Sequence, residues 1–95
     1  MAKGYWIATV TIHDPVRYPD YIAANKKAFD KYGAKFLVRG GAYEVKKGTA
    51  GQRQVVIEFE SFETAKACFN SPEYLAALRI FETCAESNMV IAEGA

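Results

Sequence analysis

The length, composition and charge of this chain limit what it can be. Its 95 residues are the size of one domain, which excludes an enzyme with separate cofactor and substrate domains. A hydrophobic fraction of 51% and a charged fraction of 24% are typical of a folded globular protein. The net charge of +1 gives no electrostatic reason to bind nucleic acid or an anionic membrane, so we expect neither partner.

The first third of the chain predicts a strand followed by a helix. The segment Tyr5 to Ile12 is rich in aromatic and β-branched residues, and the His13-Asp14-Pro15 sequence ends it. From about Pro19 to Tyr32, large apolar side chains recur at helical spacing between charged ones. Gly33 follows where a helix commonly ends in glycine, so this segment predicts an amphipathic helix.

The segment Lys35 to Lys47 predicts one long, bent strand. Phe36 and Val38 are apolar at even positions before Gly40-Gly41, whereas Tyr43 and Val45 are apolar at odd positions after it. Successive side chains of a strand point to opposite faces of the sheet. The apolar residues before and after the glycines can therefore share one face only if one extra residue is inserted between them, as in a glycine β-bulge. We therefore predict a bend at Arg39-Gly40-Gly41 and a turn at residues 48–51.

The second half of the chain predicts a strand, two short helices and a last strand. Residues Gln54 to Glu60 alternate between apolar and polar types, which indicates a half-buried strand. Ser61 can cap a following helix, and Ser71-Pro72 marks the start of another that runs to about Cys84. Residues Met89 to Ala92 predict the final short strand.

This order of elements matches the ferredoxin-like arrangement, an α+β fold with the order βαββαβ. We predict a single domain over residues 1–95, with a four-stranded antiparallel sheet and helices on one face only. The uncovered face would be too apolar for water and too polar for an ordinary core. Its predicted residues are Tyr5, Ile7, Thr9, Leu37, Arg39, Ala42, Glu44, Val56 and Glu58. We expect a second copy of the chain to cover this face and enclose a partly polar cavity, and burial of that extra surface would stabilise so short a chain.

No apolar run approaches the roughly 18 residues of a membrane span, and the first residues lack the features of a secretion signal. We therefore expect a cytoplasmic protein. Its two cysteines, Cys68 and Cys84, fall in predicted helices and are too few for a disulfide scaffold or a four-ligand zinc site. We expect both to be buried and unreactive, and we predict no metal site and no cofactor.

The strongest polar combination is Arg39 with Glu58 and Glu60. If the hairpin turns at residues 48–52, Glu58 lies near Ala42 and Arg39 lies close to both glutamates. Arg39 could then bind a carboxylate or enolate, and Glu58 could transfer a proton once enclosure raises its pKa. The alternative is a cross-strand ion pair that only holds the sheet together.

Other polar and aromatic residues carry weaker predictions. His13 is the only histidine, and a single histidine in a turn is typically a surface residue rather than an acid, base or haem ligand. Arg79 fits a solvated helix face. Four tyrosines could edge a pocket or simply pack in the core, and they are Tyr18, Tyr21, Tyr32 and Tyr74. No phosphate-binding loop or nucleophile motif is present in the sequence.

Taken together, several segments resemble the bacterial domain-of-unknown-function family numbered 1330. They are Phe36-Leu37-Val38-Arg39-Gly40-Gly41, Glu44, Val55-Val56-Ile57-Glu58-Phe59, Ser71-Pro72-Glu73-Tyr74, Arg79 and Val90-Ile91-Ala92-Glu93-Gly94. The resemblance implies a dimeric α+β barrel, in which two sheets pack face to face. Barrels of this kind include cofactor-free monooxygenases, isomerases and haem enzymes. The matching family positions point to Arg39, Glu44, Glu58 and Tyr74 as site residues.

We hypothesise a small homodimeric protein that binds a carbonyl or carboxylate compound in the barrel cavity. Arg39 and Glu58 would be its catalytic residues, in isomerase-like or cofactor-free oxygenase-like chemistry. Glu44, Tyr74, Tyr18 and Tyr21 would contact the ligand. One alternative is a non-catalytic, ligand-binding or stress-related accessory dimer. Another is that the uncovered sheet face recruits a different protein.

Overall fold

The computed structural model describes residues 2–95 and contains four strands and three helices. The strands are β1 (Gly4–Ile12), β2 (Lys35–Arg39), β3 (Arg53–Phe59) and β4 (Ala85–Glu93). The helices are α1 (Tyr18–Tyr32), α2 (Phe62–Phe69) and α3 (Pro72–Cys84). The strands form one antiparallel sheet in the order β2-β3-β1-β4. This is the predicted ferredoxin-like βαββαβ arrangement.

The helix boundaries follow from local hydrogen bonding. The Asp14 carboxylate accepts hydrogen bonds from two backbone N–H groups just before α1, and Gly33 ends that helix in the left-handed conformation with φ 68°. The hydroxyl groups of Ser61 and Ser71 accept hydrogen bonds from the third residue after each, which caps α2 and α3. All three boundaries agree with the sequence prediction to within one or two residues.

All three helices cover one face of the sheet, and the core lies beneath them. Trp6 is the centre of this core: its ring is 2% exposed, and its indole N–H donates a 2.8 Å hydrogen bond to the backbone carbonyl of Ala65 in α2. Four other aromatic rings lie with centroids 4.8–5.7 Å from that of Trp6, and they belong to Phe29, Phe59, Phe69 and Tyr74. Trp6 therefore joins β1 to all three helices.

The predicted long strand over residues 35–47 is wrong. Strand β2 ends at Arg39, and the chain turns at Gly40, whose φ is 69°. Gly40 makes the last sheet-like contact, donating its N–H to the carbonyl of Gln54 at 2.8 Å. Residues 41–50 are all exposed, because β3 begins only at Arg53 and offers no further partner. The alternating pattern beyond Gly41 therefore belongs to a loop.

A bulge does occur in this strand, but it lies at Leu37 rather than at Gly40-Gly41. Phe36 pairs with Ile57 and Val38 pairs with Val56, so Leu37 is the extra residue. The final strand also differs, since β4 begins at Ala85 instead of Met89 because its register with β1 continues to the end of α3. Residues 86–88 are all polar, so the sequence pattern did not indicate that the strand begins before Met89.

The face without helices, which we call the outer face, carries an aliphatic row across all four strands. The pairing aligns Val38 with Val56, Val56 with Ile7, and Ile7 with Val90. Three of these side chains are 41–58% exposed. Of the predicted outer-face residues, Leu37, Arg39, Ala42 and Glu44 do not occupy regular positions there, because of the bulge and the early end of β2.

We predict that Trp6→Phe lowers the free energy of unfolding by about 2 kcal/mol. The substitution removes ring volume from the core and the hydrogen bond to Ala65. Urea denaturation followed by circular dichroism measures this change. Leu75→Ala is the matched control, since Leu75 is 40% exposed on a helix and its truncation should change stability by less than about 0.5 kcal/mol. Equal effects of the two substitutions would contradict a central role for Trp6.

Candidate functional site

A cavity of about 290 Å³ lies between the helix-covered face of the sheet and helices α1 and α3. It is at the lower end of the size range of small-molecule sites. Its walls are largely aromatic and aliphatic. The polar side chains that line it are Tyr18, Tyr21, Asn25, Arg39, Arg53, Tyr74, Glu82 and Ser87. The cavity therefore lies within one chain, on the face opposite to the uncovered face where the sequence predicted it.

Three rows of inward-facing residues form the floor of this cavity. The innermost row is Phe36, Ile57, Trp6 and Ile91; the middle row is Arg39, Val55, Ala8 and Met89; the outermost row is Arg53, Val10 and Ser87. The inner row is aromatic and aliphatic, whereas the outer row carries polar groups. The small side chain of Ala8 leaves room at the middle of the floor.

The inner end of the cavity is closed by buried rings and contains a pair of hydroxyl groups. The hydroxyl oxygens of Tyr21 and Tyr74 are 2.8 Å apart, and both residues are buried. Burial raises the pKa of both tyrosines above the usual 10, so both hydroxyl groups keep their protons at neutral pH. The Asn25 amide, also buried, interacts with the Tyr21 hydroxyl. This end is thus apolar with a few hydrogen-bonding groups.

The opposite end opens to solvent at the exposed residues Arg39, Glu82 and Ser87, which we call the mouth. The bulge at Leu37 puts Arg39 there. Arg39 pairs with Val55, whose side chain faces the helices, and its guanidinium lies 4.0 Å above the Phe36 ring. This cation–π contact holds the guanidinium over the aromatic wall.

Arg53 lies beside Arg39 on the floor. Its guanidinium is 5.9 Å from the Tyr18 ring, and its Nε is buried without a hydrogen-bond partner in the described structure. Burial raises the pKa of Tyr18, although the nearby Arg53 and Arg39 partly oppose this shift. Neither arginine takes part in any ion pair found between residues 2 and 95. The cavity lining contains two positively charged groups, Arg39 and Arg53, and one carboxylate, Glu82. The net charge at this end of the cavity is therefore positive.

The structure brings together four of the six predicted site residues. Arg39, Tyr18, Tyr21 and Tyr74 all line the cavity. Glu58 does not, because its side chain lies on the outer face and accepts a 3.0 Å hydrogen bond from the Tyr5 hydroxyl. The expected proximity of Arg39 to Glu58 within one chain is therefore wrong.

The bulge is the physical reason for this error. It shifts Arg39 by one position, so that its side chain changes face. The connection between β2 and β3 is also longer than predicted, so Lys35 rather than Ala42 lies opposite Glu58. Glu60 follows the end of β3 and is exposed. The remaining predicted ligand residue, Glu44, lies in the exposed loop and pairs with Lys46.

His13 and Arg79 occupy the exposed positions that the sequence indicated. His13 lies 3.6 Å from Glu86 at the surface. Both cysteines are free and buried, and burial raises the pKa of Cys68 to about 12, which suppresses its reactivity. Within residues 2–95, no group of three or more His, Cys, Asp or Glu side chains is placed to hold a metal ion. Likewise, no helix in that range has the length and hydrophobicity needed to cross a membrane.

Arg53, Asn25 and Glu82 line the cavity but were not predicted as site residues. Arg53 could have been found, because it shares the parity of Val55 and Ile57 and must face the helices with them. Asn25 likewise follows Tyr21 by four positions, on the buried side of α1. The position of Glu82 at the mouth depends on how α3 packs, which no local pattern reveals.

The sequence places this chain in a family whose function is not known. Residues 3–95 match the model of the Domain of unknown function (DUF1330). The chain belongs to this family. No curated protein sequence matches it.

Solved structures share the fold at low sequence identity. A protein of unknown function from Rhodopseudomonas palustris superposes with a TM-score of 0.78 at 14% identity, over 99% of this chain and 83% of that one. SnoaB, a cofactor-independent oxygenase from Streptomyces nogalater, gives 0.66 at 13% identity, over 97% and 92% of the two chains. A dimeric protein of unknown function with a ferredoxin-like fold from Bacteroides fragilis gives 0.56 at 17% identity, over 96% and 95%. These likenesses establish the fold alone.

We predict that Gly40→Ala is more destabilising than Gly41→Ala. Gly40 has a positive φ that an L side chain adopts at a cost of about 1 kcal/mol, and an added Cβ would collide with the Arg53 guanidinium. An added Cβ at Gly41 meets nothing within 4 Å. Thermal or urea unfolding of the two variants tests the difference. Equal stabilities would show that Gly40 is not needed to seat Arg53.

Proposed function

We propose that the protein binds a small carbonyl or carboxylate compound in the helix-side cavity. The observation that carries this proposal is the pair of arginines without acidic partners, placed at the mouth of an otherwise aromatic pocket. Arginine binds carboxylate and enolate oxygens through charge-assisted hydrogen bonds. Arg39 and Arg53 would hold the negative end of the ligand, while the aromatic rings bury its apolar part.

The cavity chemistry supports binding more directly than catalysis. The three lining tyrosines keep their protons, so they act as hydrogen-bond donors rather than as bases. Glu82 is the only carboxylate in the lining, and it is exposed at the mouth. A non-catalytic ligand-binding role is thus the second candidate.

A catalytic role would be isomerase-like or cofactor-free oxygenase-like. Both reactions begin with a proton leaving a carbon next to a carbonyl, and the arginines would stabilise the negative charge that develops on the oxygen. The shared fold with SnoaB supports this reaction class as a proposal. Glu58 stays a proton-transfer candidate only for a site between two packed sheets, since it lies on the outer face.

We also propose that a second copy of the chain covers the outer face. The aliphatic row across the four strands is a continuous apolar surface, and the sheet offers it no helix. Structural relatives described as dimeric support this assembly. The helix-side cavity is lined by residues of one protomer, so each copy would carry its own site.

Ligand binding is tested by a thermal-shift screen against small aromatic acids, keto acids and lactones. A compound at 100 times its dissociation constant should add about 2.7 kcal/mol to the free energy of unfolding. We expect Arg39→Ala and Arg53→Ala each to weaken binding at least about tenfold, since each removes a charge-assisted hydrogen bond. Arg79→Ala is the matched control and should bind normally.

A cavity-filling variant separates binding in the cavity from binding elsewhere. Ala8→Leu should abolish the thermal shift without lowering the melting temperature of the free protein, because it fills empty space. Ligand binding that survives Ala8→Leu would place the ligand outside the cavity. Unchanged affinity in both arginine variants would remove the basis of the proposal.

The dimer is tested by light scattering coupled to size-exclusion chromatography. We expect the wild-type protein to elute with twice the 10.5 kDa mass of the chain. Ile7→Glu should give a monomer, since it buries a charge in the aliphatic row. Val16→Glu is the matched control, because Val16 is 87% exposed in the turn before α1. A monomeric wild-type protein would overturn this assignment.

A further inference from the structure

The strand-like segment after β2 is unpaired within the part of the chain that the structure describes. Residues 42–47, which we call the loop segment, form no backbone–backbone hydrogen bond there. Tyr43 and Val45 are 50% and 48% exposed. Glu44 contacts Lys46 two positions further on, as side chains on one side of an extended chain do. The loop segment therefore has the residue pattern of a strand with one apolar side, but it has no neighbouring strand in its own chain.

The sheet has one long edge that lacks the usual protection against pairing. Its edge strands are β2 and β4. Natural sheets commonly protect an edge with a short strand, a bulge, lysine or proline, because the edge presents a row of unpaired N–H and C=O groups. β2 is five residues long, bulges at Leu37 and begins with Lys35. β4 is nine residues long, pairs with β1 in unbroken register, and contains no lysine, arginine or proline.

The loop segment and the β4 edge are complementary in charge. β4 carries Glu86 and Glu93 and no basic residue. The loop segment carries Lys46 and Lys47 against one acidic residue, so its net charge is positive. Opposite charges on neighbouring strands stabilise their pairing, and like charges destabilise it.

The topology of the sheet also gives the two elements the right positions and directions. Each pair of neighbouring strands is antiparallel, so β2 runs antiparallel to β4 at the opposite edge of the sheet. If two copies pack outer face to outer face about a twofold axis along the strands, β2 of one copy lies over β4 of the other. The loop segment of each copy would then leave β2 next to β4 of the other copy, in the antiparallel direction.

We infer that the loop segment of each copy pairs with the β4 edge of the other copy as an added antiparallel strand. This inference rests on the proposed dimer and adds a second contact between the copies. Tyr43 and Val45 would lie on the outer face beside Val90, which is at the β4 end of the aliphatic row and is 58% exposed. The exchange is reciprocal, so it closes the dimer and leaves neither β4 edge open to a third copy.

The other strands that a second copy could offer to the β4 edge are less complementary. A second β4 strand carries only acidic charges, so the two strands would repel each other. β2 is short, and its register is interrupted at Leu37. The loop segment alone combines the opposite charge with an alternating apolar side.

Hydrogen exchange followed by NMR tests the pairing residue by residue. Successive N–H groups of a strand point in opposite directions, so only every second amide of an added edge strand is hydrogen-bonded. We expect every second amide of residues 42–47 to exchange at least about tenfold more slowly than its neighbours in the dimeric wild-type protein. Ile7→Glu, which should be a monomer, should lose this alternating protection, because the loop segment is exposed in the single chain.

Proline substitutions test whether the backbone of the loop segment contributes to the dimer. Glu44→Pro and Val45→Pro each remove one N–H donor, and one of these two successive donors must face the added partner. Glu44→Ala and Val45→Ala are the matched controls, since they keep the N–H group. We expect one proline variant to have a dimer dissociation constant about tenfold higher than that of the alanine variant at the same position, measured by sedimentation equilibrium.

The outcomes separate this inference from the proposed dimer. A wild-type dimer in which residues 42–47 exchange as fast as in Ile7→Glu would overturn the inference and leave the dimer intact. Slow exchange in β4 alone would do the same, because another strand would then cover that edge. Equal dissociation constants for each proline variant and its alanine control would also overturn it. A monomeric wild-type protein would overturn the inference and the proposed dimer together.

Discussion

The packing around Trp6 is the interaction on which the rest of the structure depends. Its indole N–H is hydrogen-bonded to the Ala65 carbonyl, and four aromatic rings surround it. These contacts fix the distance between the sheet and the helices at the inner end. The cavity exists because this separation is maintained where the floor carries the small residue Ala8. A solid aromatic cluster at one end therefore supports an open space at the other.

Much of the fold followed from local sequence patterns. Capping serines, the glycine after α1 and the alternation in β1 and β3 each act within a few residues, so their consequences are visible in the sequence. The loop after β2 was wrongly predicted as strand, because its conformation depends on a distant partner strand rather than on neighbouring residues. Tyr43 and Val45 alternate with charged residues as strand residues do, but a strand also needs a partner of matching length, and β3 is too short to supply one.

The site was predictable only in part, because it depends on register. Arg39, Tyr18, Tyr21 and Tyr74 were singled out by residue type, and they line the helix-side cavity rather than the predicted cavity on the uncovered face. Their grouping with Glu58 failed for two reasons. Glu58 pairs with Lys35 rather than with Ala42, and a single inserted residue at Leu37 reverses which side of the sheet Arg39 occupies. Nothing in the Phe36-Leu37-Val38 sequence distinguishes a bulge at Leu37 from a regular strand. By contrast, Arg53 was predictable from the sequence, because it alternates with Val55 and Ile57 along β3 and so faces the helices with them.

The small side chain at Ala8 also bears on how such a protein can diversify. It lies between Val55 and Met89, so its size sets the free volume at the centre of the floor. Every alanine codon becomes a valine codon by a single base change, and such a change leaves the backbone pairing of β1 intact. Ligand size could thus shift in one evolutionary step, while the arginines at the mouth continue to select for negative charge. Relatives with the same scaffold could in this way acquire different small-molecule partners without passing through an unstable intermediate.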